Sequence, residues 1–217
     1  MDHNIGLLGF KFMGKAHTNG YNEVSALFPL QGKIVKKVIG GHPDEEADLV
    51  TFANKMGWEE TETDWQKLVR RDDIEVFDNC TPNSLHAEPC IAAAEEGKHV
   101  MCEKPLARSV EEAEEMVKAV ENAGVKNMIM FNYRRVPAIQ LAKQLIDDGM
   151  LGRIYHVRAV YLQDWIRDPA FPLVWRLRKE VAGSGPHGDL NAHIIDIAQY
   201  LVGKIERVNG FAMNFIK

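Results

Sequence analysis

The chain has 217 residues, of which 46% are hydrophobic and 26% are charged. This composition is typical of a globular protein with a sizeable core, and it excludes a disordered, collagen-like or low-complexity chain. At about 150 residues per domain, the length predicts one domain and part of a second. The formal net charge of −5 supplies no global field that would attract nucleic acid or an anionic membrane, so we expect neither as a partner.

Two features bear on the location of the protein. No run approaches the ~18 consecutive apolar residues that a membrane helix needs, and residues 1–8 lack the basic region and the cleavage site of a signal peptide. We therefore expect a cytoplasmic protein. The three cysteines, Cys80, Cys90 and Cys102, contain no C-x-x-C pair, which favours reduced thiols over a disulfide framework or a zinc site.

The first 131 residues alternate short apolar runs with longer amphipathic stretches. The runs predict strands at residues 5–8, 34–39, 74–77, 99–102 and 127–131. The stretches between them predict helices at residues 13–24, 45–56, 85–96 and 109–122. Ser109 and Glu112 form a capping box at the start of the last helix. Alternating strands and helices imply right-handed βαβ units, so we predict an α/β fold with a doubly wound parallel sheet.

The pattern changes after about residue 131. Apolar spacing predicts a helix at residues 137–146 that ends before Gly149, and a helix at residues 189–201 after a proline- and glycine-rich loop. Residues 154–162 alternate apolar and polar side chains, which is typical of a half-buried antiparallel strand. Residues 208–216 predict another strand.

Two predicted strands are too few for the second region. A stable sheet usually has three or more strands. Either the chain is cut short or a second copy of the chain completes the sheet, and the sequence leaves both interpretations open. We expect a homo-oligomer, a dimer or a tetramer, because an exposed sheet face and edge favour self-association.

The first strand is followed by the turn GFKFMG, residues 9–14. A strand, a G-x-G-x-x-G turn and a helix form the dinucleotide fingerprint, because glycines permit the tight turn and the helix N-terminus offers amide donors to a pyrophosphate. Gly9 and Gly14 match this pattern, whereas Lys11 replaces the middle glycine and must point away from the cofactor or contact a phosphate. An ordinary strand-to-helix turn is the structural alternative.

The second strand ends at Gly40-Gly41-His42. A site that prefers NAD usually has Asp or Glu at this point to bind the ribose hydroxyls. The missing carboxylate removes repulsion toward a 2′-phosphate, but no arginine stands there to bind one. The expected cofactor is therefore NAD or NADP.

Two later loops carry polar residues at the carboxyl ends of predicted strands, where ligands of open α/β sheets bind. Thr81 and Asn83 are placed to hydrogen-bond a cofactor, although Asn83 would equally cap the next helix. Glu103-Lys104-Pro105 follows the fourth strand, and Pro105 keeps Lys104 out of the helical region. A partly desolvated lysine beside a cationic nicotinamide would exchange a proton, whereas the structural alternative is a surface Glu–Lys pair.

The helix predicted at residues 189–201 presents Asp189, His193 and Asp196 on one face, at positions i, i+4 and i+7. Hydride transfer from an alcohol requires the hydroxyl proton to leave, and a histidine oriented by a carboxylate suits that task. Alternatively, Asp189 caps the helix and His193 is a buried structural residue. Asp189 and His193 would also suit a shared metal, but a third ligand is missing, so we expect no metal.

Together, these motifs resemble the glucose–fructose oxidoreductase, inositol dehydrogenase and rhizopine-catabolism (Gfo/Idh/MocA) family. GFKFMG, CTPN, EKPL, FNYRR at residues 131–135 and GDLNAHIID follow in order through nearly all 217 residues. The resemblance implies a Rossmann domain over residues 1–131 and a partial α+β domain with a mostly antiparallel sheet over residues 132–217. It implies hydride transfer between NAD or NADP and a sugar- or polyol-like secondary alcohol, and it indicates a C-terminally shortened family member.

The resemblance also implies roles for individual residues. His193 would act as the general base, Lys104 would stabilise the developing alkoxide, Asp189 would orient this pair, and the Lys104–Pro105 bond would be cis. Cofactor contacts would come from four strand-end segments: Gly9, Lys11, Phe12, Met13, Gly14, Gly41, His42, Thr81, Asn83, His86, Glu103 and Lys104. Substrate contacts would come from Lys104, Tyr133, Arg134, Trp175, Asn191 and His193.

Two other activities remain open for this fold. A non-catalytic regulator would keep the NAD(P) pocket without turnover. An NAD-dependent glycosidase would begin with hydride abstraction and then cleave a glycoside. The presence of Lys104, Asp189 and His193 favours the oxidoreductase.

Overall fold

The computed structural model describes residues 2–213, and a six-stranded parallel sheet lies at the centre of its first half. The strands are β1 Asp2–Leu8, β2 Lys33–Gly40, β3 Glu60–Glu62, β4 Val76–Asn79, β5 His99–Cys102 and β6 Asn127–Ile129. Their order is β3-β2-β1-β4-β5-β6, and all neighbours pair in parallel. The order reverses between β1 and β4, and the crevice at the carboxyl ends of those two strands is where such sheets bind ligands.

Helices connect the strands and continue into the second half of the chain. The α-helices are α1 Phe12–Leu27, α2 Glu46–Met56, α3 Trp65–Val69, α4 Ala87–Glu95, α5 Val110–Ala123, α6 Pro137–Asp147, α7 Lys179–Ala182 and α8 Ala192–Val202. Within residues 2–213, none of the helices has both the length and the apolar character needed to cross a bilayer.

Two apolar clusters bury the sheet between the helices. In one cluster, Phe77 and Val100 of the sheet pack with Ala93 of α4 and Met116 of α5. The other cluster consists of Ile5, Leu7, Phe10, Ile39, Leu49, Phe52, Ala53 and Trp58. Each fully buried large side chain contributes roughly 1.5–3 kcal/mol to folding. This burial explains why the strands appear in the sequence as short apolar runs, and it confirms the predicted α/β class.

The first half differs from the sequence prediction at two elements. Strand β3 and helix α3 were not predicted. Strand β3 is a three-residue edge strand of polar residues that pairs with β2, so the sequence has no apolar run there. The capping box at α5 is only half formed. The Ser109 hydroxyl accepts the Glu112 amide N–H at 3.2 Å, but the Glu112 carboxylate bonds to Arg108.

The second half has the two predicted helices but not the predicted strands. Residues 154–162 and 208–213 have no strand partner among residues 2–213, and residues 214–216 lie outside the described residues. Tyr155, expected on a half-buried face, is 84% exposed. A strand requires a neighbour for its backbone hydrogen bonds, and the described part of the second half supplies none, so the antiparallel sheet is not formed there.

Candidate active site

The glycine turn after β1 packs against the backbone with no room for side chains. Gly9 has a φ of +98°, and a Cβ on it would lie 2.8 Å from the Cys80 carbonyl oxygen. A Cβ on Gly14 would lie 1.9 Å from the Gly9 oxygen. Helix α1 begins directly behind this turn, and no side chain caps its first amides. The turn therefore fits a dinucleotide, whose pyrophosphate needs a close backbone approach and free N–H donors.

Lys11 turns away from the glycine turn and toward the start of α2. Its Nζ lies 3.1 Å from Glu45 Oε1 and 3.7 Å from Asp48 Oδ2, and it sits 4.4 Å from the centre of the Phe10 ring. Of the two expected alternatives for Lys11, the structure has the one in which the side chain points outward. The ammonium is balanced by these two carboxylates.

Gly41 and His42 follow β2, and neither position carries the carboxylate that would bind the ribose hydroxyls. The Gly41 N–H donates to the Glu62 carbonyl at 3.1 Å, and a Cβ on Gly41 would lie 2.9 Å from the Phe10 ring. His42 accepts the Asp44 amide N–H at 3.2 Å and is largely exposed.

The loop after β4 holds the two halves of the chain together. The Asn83 side-chain amide donates to the Ala182 carbonyl at 2.9 Å in a buried bond. Asn83 therefore anchors the loop of the second half, a contact that the sequence analysis did not anticipate. The Thr81 hydroxyl donates to Asn79 Oδ1 at 2.6 Å and lies at the edge of the loop.

His86 is fully buried beneath this loop. Its Nδ1 lies 2.8 Å from the Pro105 oxygen and its Nε2 3.0 Å from the Thr81 oxygen. Burial lowers the pKa of His86, so the neutral ring has one N–H and donates to one of these carbonyls at a time. The ring connects the loop that contains Thr81 to the loop that contains Pro105. His86 was expected to contact the cofactor, but its ring is buried and does not face the crevice.

Lys104 joins the end of β5 to the second half of the chain. Its Nζ donates to the Asp189 carbonyl at 2.8 Å and to Asp189 Oδ1 at 3.1 Å. The Lys104–Pro105 peptide bond is cis. Arg176 Nε lies 4.0 Å from the same Asp189 oxygen. Residues 85 positions apart in the sequence thus share one polar site.

His193 lies on α8 in a cage of aromatic rings. It stacks on Tyr133 at a centroid distance of 4.1 Å, with Phe131 and Tyr161 edge-on or tilted beside it. The residue is only 6% exposed, and its side-chain Nδ1 has no hydrogen-bond partner among residues 2–213. Burial and the charge of Lys104 lower the pKa of His193, so the ring is neutral at pH 7 and able to accept a proton.

The three residues predicted to share one face of this helix lie close enough for the charges of Asp189 and Asp196 to act on His193, but each carboxylate has another partner. A π-helical turn, His187–Asn191, precedes α8. Asp189 bonds to Lys104 and makes no hydrogen bond to His193. Asp196 is paired with Arg134, whose Nε donates to Asp196 Oδ2 at 2.7 Å.

Comparisons with known proteins agree with this geometry. The family profile described as "Oxidoreductase family, NAD-binding Rossmann fold" matches residues 3–131, and the profile described as "GFO/IDH/MocA C-terminal domain" matches residues 139–217. The chain belongs to the Gfo/Idh/MocA oxidoreductase family.

Several Gfo/Idh/MocA relatives are similar over most of the chain. Levoglucosan dehydrogenase from Pseudarthrobacter phenanthrenivorans is 47% identical over 98% of this chain and 54% of its own length. 1,5-Anhydro-D-fructose reductase from Ensifer adhaerens is 33% identical over 70% of this chain and 44% of its own length. A structure of levoglucosan dehydrogenase with NADH and levoglucosan has a TM-score of 0.90 at 48% identity, covering 94% of this chain and 55% of that one. The chain spans about half the length of these relatives.

The remaining Gfo/Idh/MocA candidate residues lie around the Lys104–Asp189 contact or at the turn. Phe12 is exposed and Met13 half-buried at the start of α1. Trp175 is half-buried under Arg176, whose guanidinium lies 4.4 Å from the centre of its ring. Asn191 Nδ2 lies 3.0 Å from the ring nitrogen of His187. Arg134, expected to contact substrate, is held by Asp196.

Sequence reasoning missed His17, Asp78 and Tyr161, which the fold brings to this end of the sheet. His17 follows Gly14 by three residues, so the helical period places both on one face, and that spacing was the available signal. Tyr161 donates or accepts a hydrogen bond with Tyr133 at 2.9 Å, which raises the pKa of Tyr161 to about 12.

Proposed function

We propose that this chain belongs to an NAD-dependent oxidoreductase that transfers a hydride between the cofactor and a secondary alcohol of a sugar or polyol. The bond from Lys104 to Asp189 is the observation that carries the proposal, because it joins the ligand-binding end of the sheet to the turn that leads to His193. The names of the similar dehydrogenases and reductases agree with this substrate class.

The cofactor would lie along the glycine turn. Gly9 and Gly14 leave room for a pyrophosphate at the first amides of α1. We propose NAD over NADP, because the Lys11 ammonium is already paired with Glu45 and Asp48, and two carboxylates near this end of the crevice would repel a 2′-phosphate. A bound nicotinamide supplies the hydride chemistry.

The protein would supply the proton chemistry. The neutral ring of His193 takes the hydroxyl proton of the alcohol as general base while the adjacent C–H bond gives up its hydride. The Lys104 ammonium donates a hydrogen bond to the same oxygen and stabilises the developing alkoxide charge. Asp189 holds the Lys104 ammonium in place through two hydrogen bonds, and its charge also favours the protonated form of His193.

The substrate contacts that we propose are Asn191, the last residue of the turn ahead of α8, and Trp175, whose neighbour Arg176 lies 4.0 Å from Asp189 Oδ1. Tyr133 supports the substrate site by stacking against His193. Arg134 is better suited to fixing α8 through Asp196 than to reaching a ligand.

The test compares Lys104→Met with the wild-type protein and with Lys118→Met, an exposed lysine of α5 outside any ion pair that the structure records. NADH binding is measured by fluorescence titration, and turnover by NADH formation from NAD with a panel of anhydrosugars, sugars and polyols. We expect Lys104→Met to bind NADH within threefold of wild type and to lose roughly 10²–10³-fold in kcat. Lys118→Met should match wild type.

Three results would overturn the proposal. Near-normal turnover by Lys104→Met would remove the assigned role of the lysine. NADH binding by the wild type without turnover of any panel member would favour a regulator. Release of the aryl group from an aryl glycoside in the presence of NAD would favour a glycosidase.

We also propose a cytoplasmic location and a homo-oligomer. The three cysteines are free thiols, as a reducing compartment favours. Large apolar side chains of the second half are exposed, including Leu141, Tyr155 and Leu162, and such surfaces commonly mark contacts between copies. Light scattering coupled to size-exclusion chromatography is expected to give a dimer or a tetramer, and a monomer at all concentrations would refute this.

A further inference from the structure

A buried ion cluster lies beside Lys104 and has no role in the chemistry above. His17 of α1 places Nδ1 at 2.8 Å from Asp78 Oδ2 and Nε2 at 3.0 Å from Glu103 Oε1. The His17 side chain is 8% exposed and that of Asp78 is fully buried. One ring therefore bridges the ends of two neighbouring strands, β4 and β5.

The groups that face this ring keep it charged. Besides the two carboxylates, the Tyr21 hydroxyl donates to Asp78 Oδ2 at 2.7 Å, and Cys80 Sγ lies 3.2 Å from His17 Nδ1. Burial alone lowers the pKa of His17, but the hydrogen bonds and charges of Asp78 and Glu103 outweigh it and raise the pKa to about 10. Both ring N–H groups therefore donate at neutral pH.

Glu103 links the His17 ring to Lys104 through hydrogen bonds. Its Oε1 accepts from His17, and its Oε2 accepts the Lys104 amide N–H at 3.1 Å. Its own N–H donates to the Asn79 carbonyl at 2.9 Å, continuing the sheet ladder. Both carboxylate oxygens are thus engaged inside the protein. A direct contact between Glu103 and the cofactor stays a prediction.

We propose that His17 is a positioning residue for Lys104: its ring fixes the Glu103 carboxylate, which in turn fixes the lysine backbone from which the ammonium reaches Asp189. Helix α1 begins at the glycine turn, so the same ring ties the expected pyrophosphate site to the lysine. This inference rests on the proposed function for its kinetic consequence, but not for its structural one.

The electrostatics explain why a neutral residue would not serve at position 17. Without the imidazolium, two buried carboxylates would face each other, and a like-charge pair in that setting forces one to protonate or to rotate away. Either change removes an acceptor from the Lys104 amide N–H. A neutral residue at position 17 would supply none of the positive charge that separates the two carboxylates.

The test compares His17→Gln with His3→Gln. His3 also bonds a carboxylate, Glu75 at 2.7 Å, but it lies half-exposed on β1, and none of its recorded contacts involves Lys104. We expect His17→Gln to lower kcat at least tenfold while the KM for substrate and the Kd for NADH stay within threefold of wild type. We expect His3→Gln to stay within twofold of wild type in all three quantities.

A second measurement needs no turnover. In ¹H–¹⁵N spectra, the Lys104 amide resonance should shift in His17→Gln and stay in place in His3→Gln. If the wild type has no activity on the panel, the proposed function fails and this shift alone decides the role of His17. If His17→Gln does not fold, the double variant His17→Gln/Glu103→Gln restores the net charge of the cluster and should show the same tenfold loss. Unchanged kcat with an unshifted Lys104 amide would overturn the inference.

Discussion

Replacing Gly14 with alanine tests whether the glycine turn is built for a close backbone approach. The added Cβ would lie 1.9 Å from the Gly9 oxygen, whereas real Cβ contacts essentially never fall below 3.0 Å, so α1 must retreat by about 1 Å. Overpacking of this kind costs about 1–3 kcal/mol of stability. A displacement of ~1 Å in a binding site costs on the order of 10²-fold in function, and we expect that loss in NADH affinity.

Gly20 provides the matched control, because it lies on the same helix and a Cβ there would meet nothing within 4 Å. Gly20→Ala should stabilise the protein by about 0.4–1 kcal/mol through the lower entropy of the unfolded chain, with NADH affinity unchanged. Urea unfolding followed by circular dichroism measures stability, and NADH fluorescence titration measures affinity. If Gly14→Ala binds NADH as wild type does and unfolds like Gly20→Ala, the assignment of the turn is wrong.

Three further predictions concern titration and the contact between the two halves. Because the folded-state pKa of His17, about 10, lies above its unfolded value of 6.5, its stabilising contribution is complete below pH 6.5 and is lost as the pH rises toward 10. Unfolding midpoints should therefore fall over that range in wild type more steeply than in His17→Gln; parallel curves would contradict this. The lowered pKa of His193 predicts that kcat/KM falls on the acid side only below pH 6.5. A pH profile whose acid limb is centred above pH 6.5 would refute the role of neutral His193 as the general base. Asn83→Ala leaves the buried Ala182 carbonyl without its donor, so we expect a loss of about 1–3 kcal/mol in urea unfolding, and a loss below 0.5 kcal/mol would show that this clamp is unimportant.

Local patterns predicted most of the first half of the chain. Five apolar runs and the helices between them were placed correctly to within a few residues, because a strand buried on both faces needs a continuous apolar run. The strand β3, residues 60–62, was not predicted because an edge strand of three polar residues has no such run. The strand expected at residues 154–162 has the right alternation but lacks a neighbouring strand among the described residues, and alternation without a partner does not make a sheet.

The sequence by itself determined the parallel sheet, the glycine turn and the identity of Lys104, Asp189 and His193 as candidates, since each follows from neighbours close in the chain. Only the tertiary structure decided which side chains these residues bond to. Asp189 hydrogen-bonds to Lys104, and Asp196 pairs with Arg134. The His17 cluster draws on one helix and the ends of two strands. Contacts of this kind depend on which strand ends converge in space, and the periodicity of helices and strands in the sequence does not predict that.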